Sequence, residues 1–254
     1  MPLDDLGHPL DLAGPPRRVV SLVPSLTEAI AATRPDLLVG ATDWCTHPAG
    51  LDVPRVRGTK NPDLAAVRAL APDLVVANQE ENRELDVRRL RDSGVAVWVT
   101  RTESVAQALE ALRRLFAEAL RVGTPGWLEE AATLWAQPIA EWGSVAVPIW
   151  RDPWMVVGRD TFTGDLLRHL GCANVFADAE GRYPHVELEE LRARRPGLVL
   201  LPDEPYAFSS TDGPEAFPGL ETRLVSGRLL TWYGPSLVEA RGELAKLLGR
   251  PTIY

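Results

Sequence analysis

The stretch Leu188-Glu189-Glu190-Leu191-Arg192-Ala193-Arg194-Arg195-Pro196-Gly197-Leu198-Val199-Leu200-Leu201 reads as a short helix, a proline turn and a buried strand. The same order stands earlier in the chain. A helix runs from Leu64 to Leu70, Ala71-Pro72-Asp73 turns, and Leu74-Val75-Val76-Ala77 is apolar and β-branched. Leu64 to Leu188 and Pro72 to Pro196 are the same 124 residues apart. Self-similarity at about half of a 254-residue chain implies two lobes of similar build, because solenoid repeats recur every ~20–50 residues. Helices alternating with buried strands make each lobe α/β, with a small parallel sheet.

Working outward, Arg18-Val19-Val20-Ser21-Leu22-Val23-Pro24 is a further buried strand, and Ser25 or Thr27 starts a helix through Ala32. Leu37–Ala41 reads as a strand. Asn61 suits a helix N-cap and Pro62 the first helical position. From Glu103 to Leu120 the pattern is an amphipathic helix with Leu109, Leu112, Leu115 and Phe116 on one face. A second helical stretch runs from Trp127 to Trp142, where Pro138 is expected to end or kink it. The strand Ser144–Ile149 opens the second lobe. The boundaries that follow are an N-terminal extension over 1–14, one lobe over 15–121, a long connecting helix over 122–142 and the other lobe over 143–254.

Composition narrows the function. A net charge of −8 argues against a nucleic-acid or anionic-membrane binder, which needs clustered cations, and favours partners carrying local positive charge. Cys45 and Cys172 are too few for a disulfide framework and leave one bridge between them open. The first eight residues are acidic and hold neither a basic segment nor an apolar run of signal-peptide length, so the chain as written reads as cytoplasmic; a trimmed exported protein is the alternative. Eight Trp stand against five Phe and four Tyr.

In open α/β sheets ligands bind outside the carboxyl ends of the strands, so a cleft between such edges of two lobes is the expected site. The loops that follow the strands are distinctive. They carry Trp44, Cys45 and His47, then Lys60, then Asn78, Gln79, Glu80 and Glu81 in the first lobe. The second lobe contributes Trp150, Arg151 and Trp154, then Tyr183, then Glu204, Tyr206 and Phe208, and finally Trp232. Flat aromatics among a few charges suit a large, planar, partly polar ligand. Trp98 and Trp135 fit cores, and the Arg88-Arg89-Arg91 and Arg192-Arg194-Arg195 clusters fit solvated helix faces. No Walker A, G-x-S-x-G, H-E-x-x-H or G-x-G-x-x-G motif occurs, which favours a binding protein over an enzyme.

Arg18–Glu28, the Pro72-Asp73-Leu74-Val75 strand, Gly171-Cys172-Ala173-Asn174-Val175-Phe176 and Tyr183-Pro184-His185-Val186 resemble the helical-backbone, class III (TroA-like) substrate-binding proteins of ABC importers, with the vitamin B12-binding branch the nearest and the ferric siderophore binders beside it. The resemblance implies two Rossmann-like lobes joined by one long helix, no cofactor requirement, and a cobalamin-like corrinoid, haem or ferric siderophore carried as ligand by a monomer. It places Trp44 and Trp154 against the ligand and puts Tyr183 where relatives have Trp. Thr59-Lys60 and Asn78 stand where those proteins have further Trp, so this side is more polar. The family docks on its permease through one Glu per lobe. Glu189 fits in the second lobe; in the first, Ala65 holds the matching position and Asp63 is the nearest carboxylate. Two alternatives stay open: direct zinc or manganese binding by His47, His185 and carboxylates, and a tetrapyrrole chelatase-like enzyme.

Overall fold

The computed structural model describes residues 1–137 and 140–249, so Pro138 lies outside the described residues. The chain forms two compact units. The first comprises Met1–Thr102, Ala106–Glu130 and Tyr233–Pro235; the second comprises Glu103–Val105, Ala131–Trp232 and the segment from Ser236 onward.

In the first unit the elements in order are β1 (Val19–Ser21), α1 (Pro24–Thr33), β2 (Leu38–Ala41), β3 (Arg57–Gly58), β4 (Asn61–Pro62), α2 (Leu64–Ala69), β5 (Leu74–Asn78), α3 (Glu84–Asp92), β6 (Val97–Thr100) and α4 (Val105–Arg114), whose first residue belongs to the second unit. A π-helical turn, Leu115–Ala119, prolongs α4, and α5 (Gly126–Trp135) begins in this unit and ends in the other. It is shorter than the helix expected to reach Trp142, since residues 140–142 are not helical. The four-stranded sheet has the order β2-β1-β5-β6 and is parallel throughout. Its strands read as unbroken apolar runs because both faces are covered. Val20, Val75, Val97 and Val99 pack with Leu90 of α3 and Val67 of α2 in the core. Trp98 is fully buried.

The second unit repeats the plan with β7 (Gly143–Ala146), β8 (Pro148–Trp150), β9 (Met155–Val156), α6 (Phe162–His169), β10 (Cys172–Asn174), α7 (Leu188–Ala193), β11 (Leu198–Pro202), β12 (Thr222–Val225), α8 (Gly227–Thr231) and α9 (Ser236–Leu247). Its sheet, β10-β7-β11-β12, is also parallel. The repeat read from the sequence therefore yields two small parallel sheets, with β5 and β11 at corresponding places.

Local corrections have local causes. Asn61 and Pro62 form β4, paired antiparallel with β3, and the cap of α2 is Asp63, whose Oδ1 accepts from Ala65 N at 3.1 Å and Ala66 N at 3.0 Å. A carboxylate satisfies free helix N–H groups and favours the positive end of the helix, so it takes the cap. Helix α1 starts at Pro24, earlier than Ser25 or Thr27, because Pro needs no N–H donor in a first turn. Pro148 ends the run after β7, and β8 leaves the main sheet to pair with β9. The arginine clusters are only partly solvated. Arg91 donates to Asp4, Arg192 to the Ala216 carbonyl, and Arg194 lies 4.6 Å above the Phe176 ring. The first ten residues are integral to the first unit: Asp5 N donates to Val99 O, and Asp4 is buried beneath β6.

Candidate ligand-binding site

Parallel strands put all their carboxyl ends on one edge of a sheet, and the loops after β2, β5, β10 and β11 leave their sheets there. Three expected loop residues stand elsewhere, since Lys60 is in the β3–β4 turn, Trp150 ends β8 and Trp232 follows helix α8. In the first unit Asn78, the last residue of β5, is buried. Its amide Nδ2 donates to Thr100 Oγ1 at 3.1 Å, and its Oδ1 accepts from Glu80 N at 2.8 Å and Glu81 N at 3.2 Å. Asn82 answers from the far end of the same turn. Its Oδ1 accepts from Asn78 N, and its Nδ2 donates to the carbonyls of Leu22 at 3.1 Å and Thr59 at 3.0 Å. Lys60 donates to the Glu80 carbonyl. Two asparagines thus bind three loops together, which fixes Glu80 and Glu81 and leaves Gln79 exposed. Asn82 was not among the expected site residues; its spacing of four from Asn78 around two carboxylates was the available signal. Glu81 accepts from the hydroxyl of buried Tyr233 at 3.4 Å, and burial pushes that phenol well above its ordinary pKa.

The Thr42–Pro48 loop divides its residues. Trp44 is 66% exposed. Cys45 is fully buried, with Thr27 Oγ1 at 3.0 Å and Thr42 Oγ1 at 3.1 Å from its sulfur, and burial raises its thiol pKa. His47 is half-buried, with Nδ1 3.1 Å from Thr46 Oγ1. Cys45 is a packing residue, since its sulfur is enclosed by the two threonines. Neither cysteine is in a disulfide, and both are buried, one in each unit, so the bridge left open by the sequence is not formed. A thiol-specific reagent such as Ellman's reagent should find no reactive thiol in the native protein and two after denaturation; fast reaction of either in the native state would contradict this burial.

In the second unit the end of β8 and the loops beyond it and β11 build a row of aromatic rings. Trp150 meets Tyr206 edge to face at 5.7 Å, Tyr206 lies 4.7 Å from Phe208, and Phe208 stacks on Trp154 at 6.0 Å and 11°. Phe217 closes the row behind Trp154 at 5.4 Å. Trp154, Phe208 and Phe217 belong to the core that includes Val199 and Leu201 of β11, so the inner rings are fixed by the sheet. Trp150, 43% exposed, is the accessible end. Arg151 lies 5.3 Å above Trp154, donates to Glu215 at 2.7 Å and pairs with Asp212, which also accepts from Tyr206 OH at 2.7 Å. Asp212 and Glu215 were missed because Ser209–Ala216 reads as an undifferentiated polar turn.

Tyr183 is half-buried beside this edge. Its loop is drawn in by Gly158, whose N–H donates to Arg182 O at 2.8 Å, and a Cβ at Gly158 would stand 2.6 Å from Gly181 O. Glu204 follows β11, half-buried, with its carboxylate accepting a hydrogen bond from Trp232. Trp232 is itself buried. Burial raises the Glu204 pKa above its ordinary value. A carboxyl raised in the folded state costs stability once it ionises, and that cost vanishes when pH falls below its unfolded value of ~4.3. Glu204→Gln should therefore be more stable than the native protein at pH 7 and equal to it near pH 4. Urea melts at the two pH values check this, and a destabilised variant at pH 7 would refute it.

Of the two carboxylates expected to meet a permease, Glu189 stands in the first turn of α7 with its side chain 79% exposed, while Asp63 is engaged in capping α2. His47 belongs to the first unit and His185 to the second, where it bridges Met155. No group of three or more His, Cys, Asp or Glu side chains among the described residues could hold a metal ion. No helix of the described residues is long and apolar enough to cross a membrane.

No protein-family profile matches the chain. A vitamin B12-binding protein of Vibrio cholerae serotype O1 is 26% identical over 206 residues, covering 76% of this chain and 73% of that one. Among solved structures, the periplasmic vitamin B12 binding protein BtuF of Vibrio cholerae superposes with a TM-score of 0.74 at 18% identity, over 92% of this chain and 97% of its own. The periplasmic heme-binding protein RhuT from Roseiflexus sp. RS-1, in apo form, gives 0.76 at 20% identity, over 91% and 97%. The expectation of a cytoplasmic protein is overturned by these neighbours, which are periplasmic. The resemblance to the helical-backbone substrate-binding proteins stands: the chain has the fold of the periplasmic B12- and heme-binding proteins and in sequence is a relative of the vitamin B12-binding proteins.

Proposed function

We propose that this protein is an exported, non-enzymatic substrate-binding protein for a flat metal chelate, a corrinoid above all, and that it delivers the ligand to an ABC permease. The observation that carries this reading is the row Trp150-Tyr206-Phe208-Trp154, anchored to the sheet at one end and open at the other. Rigid aromatic area with hydrogen-bonding edges is what a planar, partly polar ligand needs, and a fixed row lowers the ordering cost of binding. Trp44 is the corresponding exposed ring of the first unit. The names of the relatives support a binding role, and the fold is that of binding proteins. For docking we assign Glu189, whose carboxylate projects into solvent, in preference to Asp63, whose carboxylate the α2 cap consumes.

Titration with cyanocobalamin, hemin and a ferric siderophore, followed by tryptophan quenching and by the ligand's visible spectrum, tests the reading. Micromolar or tighter binding of a corrinoid is the expected result. No saturable response to any of the three would refute it.

A further inference from the structure

The arginine that lies over the aromatic row is already paired with carboxylates. Arg151 pairs with Asp212 and with Glu215 at 2.7 Å, and its Nε lies 3.6 Å from Asp152. Asp212 is further held by the Tyr206 hydroxyl, and Glu215 accepts from Gly213 N at 2.6 Å. The Tyr206 hydroxyl first, and Arg151 after it, keep the Asp212 carboxyl below its usual range, and Arg151 does the same for Glu215. Both are therefore charged at neutral pH. One guanidinium faces three carboxylates, and neighbouring Arg182 pairs with Glu103 at 3.0 Å.

An arginine beside an aromatic platform is ordinarily the group that receives a ligand carboxylate, through a two-pronged hydrogen bond. Here Asp212 and Glu215 both converge on Nη1 and Asp152 lies near Nε, so the charge around the guanidinium is net negative and an incoming carboxylate would meet like charge. A neutral amide or a cation meets no such penalty, and repulsion of the wrong partner is a standard source of specificity. We infer that the Arg151-Asp212-Glu215 cluster is a charge filter, which makes the row accept chelates with amide or cationic peripheries and reject those with peripheral carboxylates. This rests on the corrinoid reading above and deepens it.

The test uses the intact protein, cyanocobalamin, and the three analogues in which one propionamide of the ring is replaced by the nearly isosteric propionate. Calorimetry at low and high salt gives the affinities. The expected result is that at least one propionate analogue binds about tenfold more weakly than the amide at low salt, and that 1 M NaCl shrinks the difference as screening requires. In the double variant Asp212→Asn, Glu215→Gln, which frees Arg151, the same analogue should bind within twofold of the amide. If native protein binds the amide and all three propionates equally, or if its discrimination does not respond to salt, the filter is refuted while the corrinoid reading survives. If the variant folds and keeps the full tenfold ratio, the cluster is not its source. Failure of every corrinoid to bind overturns the reading and the filter together.

Discussion

Replacing Trp150 and Tyr206 together with alanine is expected to weaken binding of the preferred chelate by about 30- to 100-fold and to leave the fold nearly intact. Aromatic anchors are the side chains whose truncation costs most at binding surfaces, ~2 kcal/mol or more where they are well packed, and two of them in edge-to-face contact support each other. The separation of binding from stability follows from their position. Trp150 is nearly half exposed and Tyr206 half-buried, whereas Trp154, Phe208 and Phe217 are buried and belong to the core. Tyr206→Phe is the informative companion, because it keeps the ring and removes only the hydroxyl that holds Asp212. Its affinity for an uncharged chelate should fall by less than tenfold. Tryptophan quenching gives the affinities and thermal melts the stabilities. An unchanged Kd in the double variant would remove the row from the site.

The largest effect on stability is expected from Asp4→Ala. The Asp4 side chain is fully buried, and its carboxylate accepts from Leu6 N at 3.0 Å, His8 N at 2.8 Å, Val99 N at 3.2 Å and Arg91 Nη2 at 2.6 Å. Alanine would leave three backbone donors and a partly buried guanidinium without their acceptor. Breaking a buried pair costs ~3–5 kcal/mol, and because Arg91 is partly solvated the lower end applies, about 3 kcal/mol. In a domain of this size that lowers Tm by about 6–12 °C. Asp4→Asn, which keeps one acceptor oxygen, should lose less. A melt of Asp4→Ala within 2 °C of the native protein would contradict the assignment of these residues to the core of the first unit.

The fold was legible because its signals are local. The Leu188–Leu201 stretch and its earlier twin each carry a helix, a turn and a strand whose apolar runs are long enough to need cover on both faces. Boundaries were less legible where two residues compete for one role. Asn61-Pro62 has the chemistry of a helix start, yet Asp63 stands next to it with a stronger one, and the displaced pair forms β4 instead. Among the candidate site residues, the sequence identified the loops at the strand ends but could not sort their members. Cys45 has the chemistry of a ligand and is buried against Thr27 and Thr42; Asn78 has that of a polar contact and is bound into its own turn.

By itself, then, the order of residues determined two α/β halves, their parallel strands, and an unusual supply of loop tryptophans, since these depend on composition and short-range pattern. Tertiary structure alone decided which aromatics stand in one row and what charge they meet. Tyr206 reaches Trp150, 56 positions away, and Asp212 reaches Arg151, 61 positions away, because β11 returns the chain to the same sheet edge. Contacts between residues so far apart are set by sheet topology, and no periodicity within either segment records them.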